Sequence, residues 1–342
     1  MGTEPGPVES GHAGAGRVMP GPLVVTLTPN PSLDRTFAVD DLRRGEVLRA
    51  LSTSLVPSGK GVNVSRVVAA NGRTTVAVLP IGGHDGDHLV DALTADGIAL
   101  RIVRIRGRIR SNVTVLEPDG TATKLNEPGP DIDADEAGRL IDAALASAGG
   151  AGWLVGSGSL PPGAPDGFYA DLVRRVSRLD DIRPEVAIDV TGEELLAAAA
   201  AGADLVKPNT TELAEVGGTS LRTIGDVVRA AQELRRRGAG SVLASMGADG
   251  AVLVSGAGTW FAQVGARRFV SAVGAGDTLL AGFLLGGAVS DPAAGLAVAV
   301  ALAARRCEID ATMQPHIVDA PRTQATMLTT DIAARSLDEP AA

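Results

Sequence analysis

The chain has 342 residues, 45% hydrophobic and 21% charged, which suffices to bury a large core and excludes a chain disordered throughout. A net charge of −9 and a pI near 5.0 leave no basic excess for a nucleic-acid or anionic-membrane partner. One cysteine, Cys307, excludes an intrachain disulfide framework and a multi-cysteine metal site, and points to a reducing, cytoplasmic setting.

Residues 1–21 are Gly, Pro and small polar residues without a secretory pattern, so they read as a disordered extension. Leu23-Val-Val-Thr-Leu-Thr28 is rich in β-formers and stops at Pro29-Asn30-Pro31, which predicts a buried first strand. Asp34 follows at once. An acid just past a strand's C-terminal end in an α/β sheet lies where ligands bind, although after such a turn it also serves as a turn residue.

Ser58-Gly-Lys-Gly-Val-Asn63 opens a helix reaching Ala70. Gly59 and Gly61 allow close approach, while Lys60 and the helix N-terminus favour an anion; an ordinary capped helix is the other reading. The spacing is not that of a Walker A loop. Lysine occurs only at Lys60, Lys124 and Lys207 among 31 lysines and arginines, a hint that a compact ammonium is required where it appears.

Residues 99–126 hold three short β runs, 102–106, 111–116 and 122–126, with Glu117-Pro-Asp-Gly120 as a hairpin signal. No helices separate them. Together with residues 38–57 they are expected to form a separate small sheet. From residue 135 the rhythm becomes regular, with helices over 135–148, 168–179 and 223–237 leading to strands at 153–156, 185–190 and 241–245. That alternation argues for a parallel sheet with helices on both faces. The apolar stretch Leu279 to Ala304 is split by Ser290-Asp291-Pro292, so it predicts two core helices and no membrane span.

Several turns in this half can meet a ligand. Gly156-Ser-Gly-Ser-Leu-Pro-Pro-Gly163 is rigid and lined with small residues. Asn209 and Glu212 stand three apart at a helix start, which is also the pattern of a capping box. Ser245-Met-Gly-Ala-Asp-Gly250 suits a close turn, or a plain hairpin. The centre of the chain is Gly274-Ala275-Gly276-Asp277: small residues expose the unpaired amides of a helix N-terminus, and the acid either caps that helix or takes a proton from an attacking hydroxyl.

Val273-Gly-Ala-Gly-Asp-Thr278 and its apolar helix resemble the C-terminal signature of the phosphofructokinase B family of carbohydrate kinases, with Ala272 where the family usually has Thr, Ser or Pro. Ser58 to Asn63, with Gly72 and Gly82, resembles the N-terminal signature; Ser58 stands in place of Ala or Gly. Residues 30–34, 108–113, 156–163, 205–212 and 245–250 resemble further family segments in the family's order. The resemblance implies a ribokinase-like α/β fold, a mostly parallel sheet flanked by helices on both faces. Its core would be residues 22–37, 58–98 and 127–326, its β lid 38–57 and 99–126, and its tail 327–342.

The same resemblance implies the roles. Asp277 is the base, and amides of Ala275, Gly276 and Asp277, after Gly274, form an anion hole. Asp34, Asn63 and Asn112 hold the sugar with Gly59, Gly61 and Ser159, while Lys60 and Arg110 face its existing phosphate. Lys207, Ser245, Gly247 and Gly250 serve ATP, and Asn209 and Glu212 organise Mg²⁺ through water. Gly59-Lys-Gly61 and Arg44-Gly-Glu-Val47 resemble most the members acting on fructose 1-phosphate; tagatose 6-phosphate and fructose 6-phosphate are the alternatives. A homodimer through the lid sheets is expected, with a sugar phosphate and neither nucleic acid nor membrane as partner. A dinucleotide oxidoreductase is disfavoured because Thr28-Pro-Asn-Pro31 occupies the place of a Gly-x-Gly-x-x-Gly turn. A silent sugar-phosphate sensor would lack Asp277 or the Asn209/Glu212 pair.

Overall fold

A computed structural model describes residues 22–179, 183–218, 220–288, 290–310 and 312–337; the extension expected over 1–21 lies outside them. In chain order, β1 (Leu23–Leu27), β2 (Ser32–Ala38) and β3 (Ser52–Ser58) precede α1 (Lys60–Ala70), and β4 (Thr75–Ile81) is joined by α2 (Gly83–Ala95) to β5 (Ala99–Arg104). Then come β6 (Arg110–Leu116), β7 (Ala122–Leu125), α3 (Ala134–Ser147), β8 (Ala151–Ser157), α4 (Phe168–Val176) and β9 (Glu185–Asp189). They are followed by α5 (Gly192–Ala200), β10 (Leu205–Val206), α6 (Thr210–Gly217), α7 (Ile224–Arg236), β11 (Ser241–Ser245), β12 (Ala251–Val254) and β13 (Thr259–Ala262). The chain closes with α8 (Ala275–Leu285), α9 (Pro292–Cys307), β14 (Thr326–Met327) and α10 (Thr330–Ala333).

The large sheet runs β14-β13-β12-β11-β10-β9-β8-β1-β4-β5 and is parallel from β11 to β5. Crossover helices enforce that direction, and they cover both faces. Strands β12 to β14 are antiparallel additions at one edge. The small sheet runs β3-β2-β6-β7. Its β6–β7 turn is the expected hairpin, with Gly120 N–H donating to the Glu117 carbonyl.

Three segments differ from the sequence reading. The run expected at 102–106 in the small sheet is β5, parallel to β4 in the large one, because α2 returns the chain as a crossover and the sheets change only before Arg110. Residues 32–37, expected in the core, are β2 of the small sheet. Residues 326–337 do not trail off: β14 pairs with β13, and Thr223 and Ser336 form a bridge beside α10.

Helix α1 buries Val62, Val64, Val67 and Val68 against the sheet, and α8 crosses close to α9. The closeness depends on small residues. A Cβ on Gly282 would stand 2.7 Å from Ala299 Cα, and one on Gly286 2.9 Å from Gly295 Cα. That packing fixes the N-terminus of α8, and with it Asp277, over the ends of the parallel strands. Among the described residues no helix is long and apolar enough to cross a membrane.

Candidate active site

Gly274 begins α8 in the left-handed region, φ 76°, where a side chain would be strained. No side chain caps this helix. Asp277 is buried in its first turn and accepts a hydrogen bond from Asn63 Nδ2 at 2.7 Å, so the capping alternative is not the one adopted. Burial pushes its carboxyl up to about 6, the nearby Asp189 charge adds to the rise, and Asn63, Lys60 and Lys207 oppose it. Ala275 N–H donates to the Ala272 carbonyl at 3.1 Å. The next two amides, Gly276 and Asp277, have no acceptor among the described residues. They are the two amide donors left free at this helix start.

Two cavities meet at this turn, with Gly274 in the wall of both. One, of about 600 Å³, is lined by Lys60, Asp189, Lys207, Asn209, Glu212 and Asp277, and by the Ser245–Gly250 turn. The other, of about 430 Å³, lies under the small sheet and is lined by Asp34, Asn63, Asn112 and the start of α8.

In the larger cavity Asp189, fully buried at the end of β9, receives Lys60 Nζ at 2.9 Å and Lys207 Nζ at 3.3 Å. Burial pulls the Lys60 ammonium down, but Asp189 outweighs it and holds Lys60 above its ordinary value. Lys207 stands over the turn: a Cβ on Gly276 would lie 3.4 Å from its Nζ. Asn209 and Glu212 form a reciprocal capping box, each side chain taking the other's N–H at 2.9 Å. The box uses Asn209 Oδ1 and Glu212 Oε2, and both residues line the larger cavity. Ser245 N–H donates to the Pro208 carbonyl and ties the hairpin turn to this motif; Gly247 and Gly250 adopt φ of 59° and 89°. Among the described residues no three carboxylate, histidine or cysteine side chains gather as a metal cage.

In the smaller cavity Asp34 Oδ1 accepts from Ser32 Oγ at 2.7 Å and Asn112 Nδ2 at 2.9 Å. Asn112 Oδ1 is buried without a partner, a polar atom prepared for a ligand. Arg110 is held back, its Nε donating to the Asn30 carbonyl at 3.2 Å; burial draws its guanidinium below the ordinary arginine value and Asp34 opposes that shift. Ser159 accepts from Asn30 Nδ2 at 3.3 Å, and neither it nor Arg110 lines either cavity. Lys60 therefore lies on the Asp189 side, apart from Arg110. Gly59 and Gly61 serve packing: a Cβ on Gly61 would lie 2.4 Å from Thr28 Oγ1, and one on Gly59, φ 125°, 2.8 Å from Thr28 Cγ2.

The arrangement offers a buried carboxylate in the wall of one cavity, tied to a residue of the other, with free amides at a helix start and two lysines on one carboxylate. It suits transfer of an anionic group from one cavity to a hydroxyl in the other. A family model described as pfkB family carbohydrate kinase matches residues 30–314, and the chain belongs to that family, phosphotransferases acting on a sugar hydroxyl. Its architecture is the ribokinase-like one. The chain is 39% identical to 1-phosphofructokinase of Haloferax volcanii over 263 residues, 77% of this chain and 83% of that protein. To 1-phosphofructokinase of Escherichia coli it is 33% identical over 298 residues, 86% of this chain and 95% of the relative. The crystal structure of Escherichia coli phosphofructokinase-2 in complex with fructose-6-phosphate matches with a TM-score of 0.77 at 30% identity, over 84% of this chain and 94% of that one.

Proposed function

We propose that this chain transfers the γ-phosphate of ATP to the free primary hydroxyl of fructose 1-phosphate, giving fructose 1,6-bisphosphate and ADP. The observation that carries the reading is the place of Asp277, buried in the wall of the larger cavity and held by Asn63, which lines the smaller one. ATP occupies the larger cavity, with Lys60 and Lys207 beside its phosphates and the Ser245–Gly250 turn around the nucleoside. The sugar occupies the smaller one, its hydroxyls on Asp34 and Asn112.

Asp277 takes the hydroxyl proton as the oxygen attacks phosphorus in line, and the bond to the β-phosphate oxygen breaks to release ADP. The Gly276 and Asp277 amides receive charge developing on the transferred group. Mg²⁺ would be held through water by Asn209 and Glu212. Their amide and carboxylate oxygens, at a helix start that lines the larger cavity, are the hard donors such an ion takes together with phosphate and water. When bound, it neutralises phosphate charge. Closure of the small sheet over the sugar excludes water that would otherwise accept the phosphoryl group.

ADP release from Mg·ATP with fructose 1-phosphate, fructose 6-phosphate and tagatose 6-phosphate side by side tests the reading. The first is expected to lead in kcat/KM by about tenfold or more, roughly 1.4 kcal/mol of discrimination. Release with none of them would remove the kinase reading. A homodimer through the small sheets accompanies it, supported by exposed Val47, Leu51 and Leu125 and by the open edges of β3 and β7. A monomeric mass by light scattering would contradict that assembly.

A further inference from the structure

With Lys60 on the Asp189 side and Arg110 outside the cavity wall, the sugar cavity needs another cation for a substrate that already carries a phosphate. Three basic residues line it: Arg66, Lys124 and Arg306. Arg66 is engaged, with Nε 2.8 Å from Asp96 Oδ2. Arg306 is buried in α9 and gives Nε to the Val273 carbonyl at 3.0 Å and Nη1 to the Met313 carbonyl at 2.6 Å, while Nη2 is buried without a partner. The Lys124 side chain has neither an ion pair nor a hydrogen bond among the described residues, its strand pairing with β6 being made by the backbone. Both cations are thus unneutralised by any carboxylate in direct contact.

The register of the small sheet places Lys124. Ser54, Thr36, Thr114 and Lys124 are cross-strand partners in one row, and all four line the cavity. Two residues nearer the core lies the row of Val56, Asp34 and Asn112. Strands β2 and β3 meet the core at Ser32 and Ser58, so the Lys124 row is farther from Asp277 than the hydroxyl-binding row, by about 7 Å along the strands. A ketohexose 1-phosphate has the same order along its length. The reacting hydroxyl is at one end, the ring hydroxyls follow, and the phosphate is at the other.

We propose that Lys124, on the lid, takes the phosphate that the sugar already carries, with Arg306 on the core wall of the same cavity. This rests on the sugar-phosphate kinase reading, and it makes phosphate recognition a tie between lid and core. An unphosphorylated sugar cannot make that tie.

The test is calorimetric binding of fructose 1-phosphate to the full chain without nucleotide, for the wild type, Lys124→Gln and Lys124→Arg. Lys124 is on an exposed strand position, so the substitutions do not threaten the fold. Lys124→Gln is expected to weaken binding by about 10- to 100-fold, the scale of one charge-assisted hydrogen bond, and Lys124→Arg to restore most of it. In steady state the same loss is expected in KM for the sugar phosphate, with KM for ATP unchanged within about twofold. Binding by Lys124→Gln within about twofold of wild type would overturn the assignment, as would a loss that arginine does not rescue. Wild-type binding without turnover would instead sink the kinase reading and leave the Lys124 comparison decisive. No wild-type binding would overturn both.

Discussion

Asn63 Nδ2 donates to Asp277 Oδ2 at 2.7 Å, so the first helix holds the carboxylate that opens the eighth. A hydrogen bond to the ionised form favours ionisation and opposes the burial and the Asp189 charge that raise this carboxyl to about 6. The proposed role of Asp277 as base requires it ionised, so kcat/KM is expected to rise with pH through about 6 in the wild type. Asn63→Leu should move that acid limb to higher pH. An unmoved limb in a folded variant would show that the contact does not tune the base.

Asp189→Asn acts in the opposite sense. Removing the negative neighbour relieves Asp277, so the acid limb should move to lower pH. Lys60 and Lys207 also lose the carboxylate they share, and KM for ATP is expected to rise by about fivefold or more if the pair positions the phosphates. pH–rate profiles at saturating and limiting ATP separate the two effects. A variant with wild-type values in both would reduce Asp189 to a packing residue.

Gly276→Ala separates the turn's role in catalysis from its role in stability. Alanine favours a helix by about 1 kcal/mol over glycine, so the melting temperature should hold or rise. The added methyl would stand 3.4 Å from Lys207 Nζ, beside the two amides without acceptors. Turnover is expected to fall by about tenfold or more, within the cost of disturbing an oxyanion-hole donor. Unchanged kcat would show that the transferred group does not approach this turn.

Much of this site could be read from residues close together in the chain. The Lys60 and Asp277 turns, the Asn209/Glu212 pair and the Ser245–Gly250 turn each carry a local pattern, and all four line one cavity. What stayed hidden depends on contacts between distant segments. Asp189 looks like the last polar residue of an apolar strand; its only signal was an acid at a strand's C-terminal end, the same signal that singled out Asp34. Arg306 sits in an apolar helix and shows itself only through carbonyls at 273 and 313. Gly59 and Gly61 carry a further constraint that the sequence does not show, since their missing side chains make room for Thr28. The place of β5 in the large sheet is not legible in the sequence, because a change of sheet within six residues leaves no mark in hydrophobic alternation.

The raised Asp277 carboxyl also costs stability. Between its ordinary value of 3.8 and about 6 the folded chain keeps a proton that the unfolded chain has lost, so this group's contribution to stability falls as pH rises through that window and is flat above it. Asp277→Asn, which cannot ionise, should therefore melt higher than the wild type at pH 8, by an amount on the order of 1 kcal/mol. A lower melting temperature at that pH would contradict the desolvated carboxylate.

The most direct measurement is turnover of Mg·ATP and fructose 1-phosphate by Asp277→Asn alongside calorimetric binding of each substrate to the same variant. Loss of the proposed base should lower kcat by about 10²-fold or more with both affinities within a few fold of wild type. Near-normal kcat would remove Asp277 from the chemistry, and with it the reading of the two cavities as donor and acceptor sites.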